Sequence, residues 1–217
     1  MRKTRPIRIF WQDGVTASNI VFAIKAIKKV LELAKMDGKI EIQKDKVFDP
    51  IVYRDENVKS EFFGQYNANG ILDVFSLEQQ KDNYDKYYTV FLIKDKIFIN
   101  TDEGFKSIGG VAQRGESAIV CVGYDFMAVY LGARLSSTYR LTIHEIGHMF
   151  GLISKERKGK IKLSSINQSW HCANNCIMHP DPNSNKSFNK NIFCSICLRE
   201  LRNYFKEEIT NFGTISP

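Results

Sequence analysis

Leu141-Thr142-Ile143-His144-Glu145-Ile146-Gly147-His148-Met149-Phe150-Gly151 is the stretch on which the reading of this chain turns. Its apolar positions 141, 143, 146, 149 and 150 describe a largely buried helix. Ser136 or Ser137 is placed to cap its start, and Gly151 ends it by accepting a positive φ. On a helix, residues i and i+4 share a face, so His144 and His148 can turn two imidazoles to one zinc ion. Glu145 stays close to the open position of such an ion, where a carboxylate can take a proton from water and pass it on. A pattern with three fixed letters also occurs by chance, and two histidines on an ordinary helix is the plain alternative. The surrounding sequence decides between them.

All four histidines, His144, His148, His171 and His179, lie in this part of the chain. So do four of the five cysteines, in two close pairs: Cys172 with Cys176, and Cys194 with Cys197. Clustering of this kind points to metal rather than to a disulfide framework. Tetrahedral sites with four cysteines are closed and structural. A zinc ion there ties the last helix to the loop after His171 and adds order to a segment with little core of its own. Unliganded thiols, or redox chemistry at Cys194 and Cys197, are the alternatives. Cys121, in an apolar strand, reads as a buried free thiol.

Upstream of the motif the chain alternates strands and helices. Residues 6–12 predict a strand and Asp13-Gly14 a turn. Ser18 predicts the cap of a helix running to about Met36, with Ile20, Ile24, Ile27, Leu31 and Ala34 as its apolar stripe and Asp37-Gly38 as its stop. Lys39 to Val47 predicts a half-exposed strand, so the opening is a β-α-β unit with a parallel pair. Residues 67–70 read as a loop and 73–80 as a short helix. Tyr88 to Ile93, Ile97 to Ile99 and Ala118 to Val122 predict strands, the last preceded by the glycine-edged segment 109–115. Residues 152–170 are polar and basic and predict a hairpin or a loop, and Cys194 to about Ile209 predicts a closing helix.

The whole chain has 217 residues, 43% hydrophobic and 25% charged, which suits one folded domain and excludes wholesale disorder. No apolar stretch approaches the roughly 20 residues of a membrane helix. No hydrophobic leader follows the basic N-terminus, so the expected compartment is the cytosol. The net charge is +7, and residues 152–217 supply 10 − 5 = +5 of it. Such an excess favours an acidic partner such as nucleic acid, but a solvated basic surface is the preferred reading. Loop residues Lys155, Arg157, Lys158, Lys160 and Lys162 are read the same way.

The motif continues through Gly151 to His171-Cys172, Cys176, Met178 and the pair Cys194, Cys197. In this it resembles the archaemetzincins, within the metzincin metallopeptidases and their HExxHxxGxxH pattern. The resemblance covers residues 109–197. It implies a third zinc histidine directly before a cysteine, which is His171 here, and a methionine turn beneath the metal, which is Met178. It also implies an edge strand around 110–122 that lines the upper rim of a cleft and pairs with an extended peptide. Two spacings depart from the pattern. Nineteen residues separate Gly151 from His171, where the family has two, and Ser154 stands at the usual place of the third histidine. Three residues separate Cys172 from Cys176, where four is usual. The insertion keeps His179 in play as the third ligand, though the motif position favours His171. Glu200 as a ligand belongs to another class of zinc peptidase. Loop-closure cost grows only logarithmically with length, so an excursion over 152–170 is tolerable.

The expected fold is therefore α/β, of the α+β metzincin kind: a mixed twisted sheet, two long helices and a small irregular C-terminal lobe tied by zinc. One domain spans 1–217, with 1–151 as an N-terminal lobe ending in the motif helix and 152–217 as the C-terminal lobe. The expected function is zinc-dependent hydrolysis of peptide or protein substrates. Glu145 is the general base and acid, His144, His148 and His171 hold a catalytic zinc, and Cys172, Cys176, Cys194 and Cys197 hold a structural zinc, two ions per chain. The alternative is an inactive, zinc-stabilised binding module on the same scaffold, with nucleic acid as its partner.

Overall fold

The computed structural model describes residues 2–48, 65–73, 87–101, 104–122, 137–153, 157–162, 170–174, 176–180 and 192–212. In chain order the elements are β1 (Arg2–Lys3), β2 (Ile7–Gln12), α1 (Ala17–Ala34), β3 (Met36–Asp37), β4 (Ile40–Phe48) and β5 (Tyr66–Asn67). A helix over 68–73, α2, precedes β6 (Tyr88–Ile93), β7 (Ile97–Thr101), β8 (Gly104–Ile108), β9 (Gly110–Gln113) and β10 (Ser117–Cys121). Then come α3 (Ser137–Met149), β11 (Lys160–Lys162), β12 (Trp170–Cys172) and α4 (Ser195–Phe212).

Five strands form the main sheet in the order β4-β2-β6-β10-β9. The first three pairings are parallel and the last, β10 with β9, is antiparallel. The expected β-α-β opening is present: β2 and β4 are parallel neighbours joined through α1. Every residue of β6 is buried, because apolar side chains cover both faces of the sheet centre. Side-chain alternation divides them. Ile7, Ile9, Tyr88, Val90, Leu92, Ala118 and Val120 share one cluster with the helices, whereas Phe10, Phe91, Ile93, Ile119 and Cys121 share a second with Tyr66, Ile71, Ile97, Ile99 and Ile108. The first cluster also takes in Met149, Phe150, Met178, Phe193, Leu201 and Phe205, so residues from both sides of Gly151 share one core.

Local capping chemistry corrects three sequence expectations. Thr16, not Ser18, caps α1, its side chain accepting the Asn19 N–H. The helix stops at Lys35, which adopts φ +62° and donates its N–H to Glu32 and Leu31, so Met36 and Asp37 are free to pair with β1. Residues 68–70 are helical rather than loop, because the Asn67 side chain accepts the N–H groups of Asn69 and Gly70 and so starts a helix there. The expected helix over 73–80 falls almost wholly outside the described residues, as do the Ser136 cap and Ser154, Lys155 and Glu156.

α3 lies between the sheet edge and α1. Thr138 donates to Asn19 of α1, whose amide reaches the Val122 carbonyl. At the other end of α3, Gly151 adopts φ +72°, its N–H bonding His148 and that of Leu152 bonding Gly147. This paired arrangement satisfies the last helical carbonyls and turns the chain sharply, as a left-handed C-terminal glycine does. The Gly115 N–H between β9 and β10 caps Met149 at 2.7 Å. Among the described residues no helix is long and apolar enough to cross a membrane.

Candidate functional site

His144 and His148 stand one turn apart on α3, with ring centroids 4.8 Å apart and Nε2 atoms 3.2 Å apart. The His144 Nδ1 lies 2.7 Å from the Ile177 carbonyl, which can only accept, so Nδ1 carries the proton and Nε2 keeps its lone pair. The Leu152 backbone engages the His148 ring. His171 completes the group at 5.2 Å from His144 and 5.1 Å from His148, centroid to centroid. Ring nitrogens of these three residues lie within 4.8 Å of one another, and His179 does not join them. Burial, then the neighbouring His171, pushes His144 down to about 4, and burial lowers His148 as well. These two rings therefore resist taking up protons, and their Nε2 atoms, 3.2 Å apart, can share a cation. Two nitrogens held at about 2.05 Å from a tetrahedral ion lie about 3.3 Å apart, so the imidazoles fit zinc.

The insertion does not prevent His171 from reaching this group. Lys160–Lys162 pairs antiparallel with Trp170–Cys172, with Ile161 opposite His171, so the chain leaves Gly151 and returns as a strand. Gly159, at φ +71°, accepts the Ala173 N–H just before the pair. The expected hairpin is thus present in its paired strands, while 163–169 lie outside the described residues. Below the rings, Gly147 makes room for Met178: a Cβ on Gly147 would stand 2.5 Å from the Met178 sulfur, which is fully buried. The Met178 carbonyl accepts the Cys172 N–H and closes the loop between them.

Glu145 points from the same helix turn toward β9, the edge of the main sheet. It is 5% exposed, and burial pushes its carboxyl up to about 8. A Cβ on Gly110 would meet its Cγ at 2.5 Å and Oε1 at 2.7 Å, so only glycine at this position of the edge strand leaves the carboxyl its place. Neither Gly110 nor Gly147 was singled out by spacing. The signal available was only the bare pair Gly109-Gly110 and the small residue inside the motif.

The four clustered cysteines form a second group, all sulfurs within 4.8 Å of one another. Cys172 and Cys194 sulfurs are 3.8 Å apart and those of Cys176 and Cys197 3.7 Å apart. Four sulfurs at about 2.3 Å from a tetrahedral ion are spaced about 3.8 Å, so this donor set also fits zinc. Hydrogen bonds from Cys176 and then Cys197 hold Cys172 far below the usual thiol range, at about 2, while sharing those protons raises Cys176 and Cys197. Successive strand residues face opposite sides, so β12 sends His171 to the imidazole group and Cys172 to the sulfur group. Cys121 is buried as expected and donates its S–H to the Asp95 carbonyl.

The expectation of a plain solvated basic loop changes here at two residues. Arg157, read as a solvated loop residue, is 7% exposed, because its guanidinium turns inward to the sulfurs of Cys172 and Cys197. Glu200, weighed as an alternative ligand for the histidine site, instead bonds Arg157 and the Ile153 N–H. Lys160 also leaves the plain-surface reading in part, its ammonium lying 4.0 Å from the centre of the Trp170 ring.

No family profile and no curated protein matches the chain. Solved structures do. A zinc-dependent peptidase from Methanocorpusculum labreanum aligns over 90% of this chain and 99% of its own, at 20% identity and a TM-score of 0.55. An archaemetzincin from Methanopyrus kandleri aligns over 94% of this chain and 96% of its own, with the same identity and TM-score. At that identity the likeness is one of architecture, and it agrees with the mixed sheet, the motif helix and the C-terminal cysteine group: this chain has an archaemetzincin-like fold.

Proposed function

We propose that this protein is a zinc-dependent metallopeptidase in which His144, His148 and His171 hold the catalytic ion and Glu145 handles the protons. The observation that carries this reading is the convergence of three imidazoles beside a buried carboxyl on one edge of the sheet. A zinc ion bound there supplies Lewis acidity, which activates water at neutral pH and polarises the scissile carbonyl. The chain supplies the rest. The Ile177 carbonyl fixes the His144 ring so that Nε2 faces inward, the outer-shell arrangement that orients metal-binding histidines. Glu145 takes a proton from the attacking water and delivers it to the leaving amine nitrogen, and its raised pKa suits both transfers near neutral pH.

The substrate is an extended peptide. β9 has β10 as its ladder partner on one side and lies at the sheet edge on the other, beside Glu145. Main-chain bonding to that edge would align a peptide backbone with the carboxyl and leave side-chain choice to the flanking surface. The four cysteines hold the second, structural zinc, and the reaction takes place in the cytosol. Glu145→Gln keeps the shape of the side chain and removes the base. It is expected to lower cleavage of a peptide library on the order of 10²–10⁴-fold, with zinc content unchanged by elemental analysis. Parent-like cleavage by this variant overturns the mechanism. The nucleic-acid alternative loses support from the inward turn of Arg157, a basic residue of the segment on which it rested.

A further inference from the structure

The segment that separates Gly151 from His171 places one of its own side chains in the sulfur group. Arg157 Nη2 donates to the Cys172 sulfur at 2.8 Å and lies 3.9 Å from that of Cys194. Nη1 donates to the Cys197 sulfur at 3.2 Å and to Glu200 Oε2 at 3.0 Å. The guanidinium is more deeply buried than its carboxylate partner, with 3% of its side chain exposed against 21% for Glu200. A buried cation needs negative charge around it, and here three sulfurs lie within 3.9 Å of its nitrogens. Four thiolates around a divalent ion leave an excess of two negative charges, which the guanidinium partly offsets. Its planar fork addresses two sulfurs at once, which a lysine ammonium cannot do.

The same contacts fasten the insertion. Glu200 Oε2, which accepts from Arg157, also accepts the Ile153 N–H at 3.2 Å. Ile153 is buried and held at φ +65°, a conformation that a β-branched residue adopts only when its surroundings impose it. The chain is therefore clamped at Ile153 and again at Arg157 before it forms the strand that pairs with the His171 strand.

We propose that Arg157 is a positioning residue of the cysteine centre: its fork anchors the inserted segment on the sulfurs, offsets their negative charge and so retards loss of a divalent ion held by the four cysteines. The inference rests on reading those cysteines as ligands. Cadmium is the probe, because its sulfur-to-metal charge-transfer absorbance reports the cysteine centre and is independent of peptidase activity. The full-length protein is loaded with Cd²⁺, excess EDTA is added and the decay of the absorbance is followed. Arg157→Met, which keeps the apolar stem, is expected to lose the signal at least tenfold faster than the parent. Arg157→Lys, which keeps the charge without the fork, is expected to fall between them, and Lys158→Gln on the exposed side of the loop to match the parent. A parent-like rate in Arg157→Met overturns the proposal, since packing alone then explains the residue. If Arg157→Met does not fold, Arg157→Lys decides: faster loss supports the role and a parent-like rate overturns it. A parent that shows no charge-transfer band refutes the ligand reading itself, so the two failures are distinguishable.

Discussion

The imidazole group and the sulfur group lie on opposite sides of one short strand and are built in opposite ways. Two of the three histidines come from a single turn of α3, where the spacing of the motif and the helix geometry fix them together. Their setting is rigid because Gly147 and Gly110 let Met178 and Glu145 approach closely. The sulfurs come from β12, the loop after it and the start of α4, and an arginine of the insertion donates to them. The histidine group is thus set mainly by one helix, whereas the cysteine group joins a strand, a loop and a second helix that need a common centre to hold them. Loss of metal should accordingly affect activity at the first and folding at the second.

The sharpest way to break this contrast is to remove one ligand from each. Cys176→Ser is expected to destabilise the protein by more than ~4 kcal/mol, the range reached when a metal centre is lost, and to release the C-terminal segment to limited proteolysis. His148→Ala is expected to abolish cleavage while costing stability within the ordinary ~0.5–3 kcal/mol of a point substitution. Thermal melting of the two variants beside zinc analysis checks both, and equal melting losses would erase the distinction. A smaller effect sharpens the histidine side. Gly110→Ala places a methyl group 2.5 Å from Glu145 Cγ, too close for the side chain to stay where it is. A displacement of about 1 Å costs on the order of 10² in rate, so cleavage should fall by that factor with zinc content and melting near those of the parent. Unchanged cleavage would show that the carboxyl does not depend on the edge strand.

The smallest effect is a pH dependence of the metal-free protein. Burial and His171 lower His144 to about 4 in the folded state, from an ordinary value of 6.5. The unfolded chain then binds the extra proton first, so stability attributable to this ring is present above 6.5 and is lost as pH falls toward 4. Urea midpoints at pH 7 and pH 5 should differ less in His144→Gln than in the parent. A deficit at pH 5 that is equal in both proteins would assign the acid sensitivity elsewhere.

Much of this was legible in the sequence because it is local. The motif helix, the left-handed Gly151 and the β-α-β opening follow from periodicities and end signals within a few residues. The clustering of the cysteines announced a shared centre before any fold was known. What escaped depends on long-range closeness. Spacing left His171 and His179 open, and only the strand pair of Lys160–Lys162 with Trp170–Cys172 brings His171 to the other two rings. Arg157 sits among charged and polar neighbours and reads as surface. Its partners Cys172 and Cys197 are 15 and 40 residues away. The room that Gly110 leaves for Glu145 joins a strand to a helix about 35 residues later, a relation no local pattern carries. The helix over 68–73 was missed for a different reason: Asn and Gly are turn formers, and here the Asn67 side chain uses the following N–H groups to start a helix instead.

His171 and Cys172 are consecutive residues of β12 that face different centres. On the proposed reading one peptide unit carries a ligand of each, and its orientation is a variable common to both equilibria. An ion seated on either side restricts that peptide and lowers the conformational entropy still to be lost when the other side fills. By thermodynamic linkage the effect is mutual and equal in free energy. On that reading the two centres act as a single cooperative unit, with affinities that are properties of the pair.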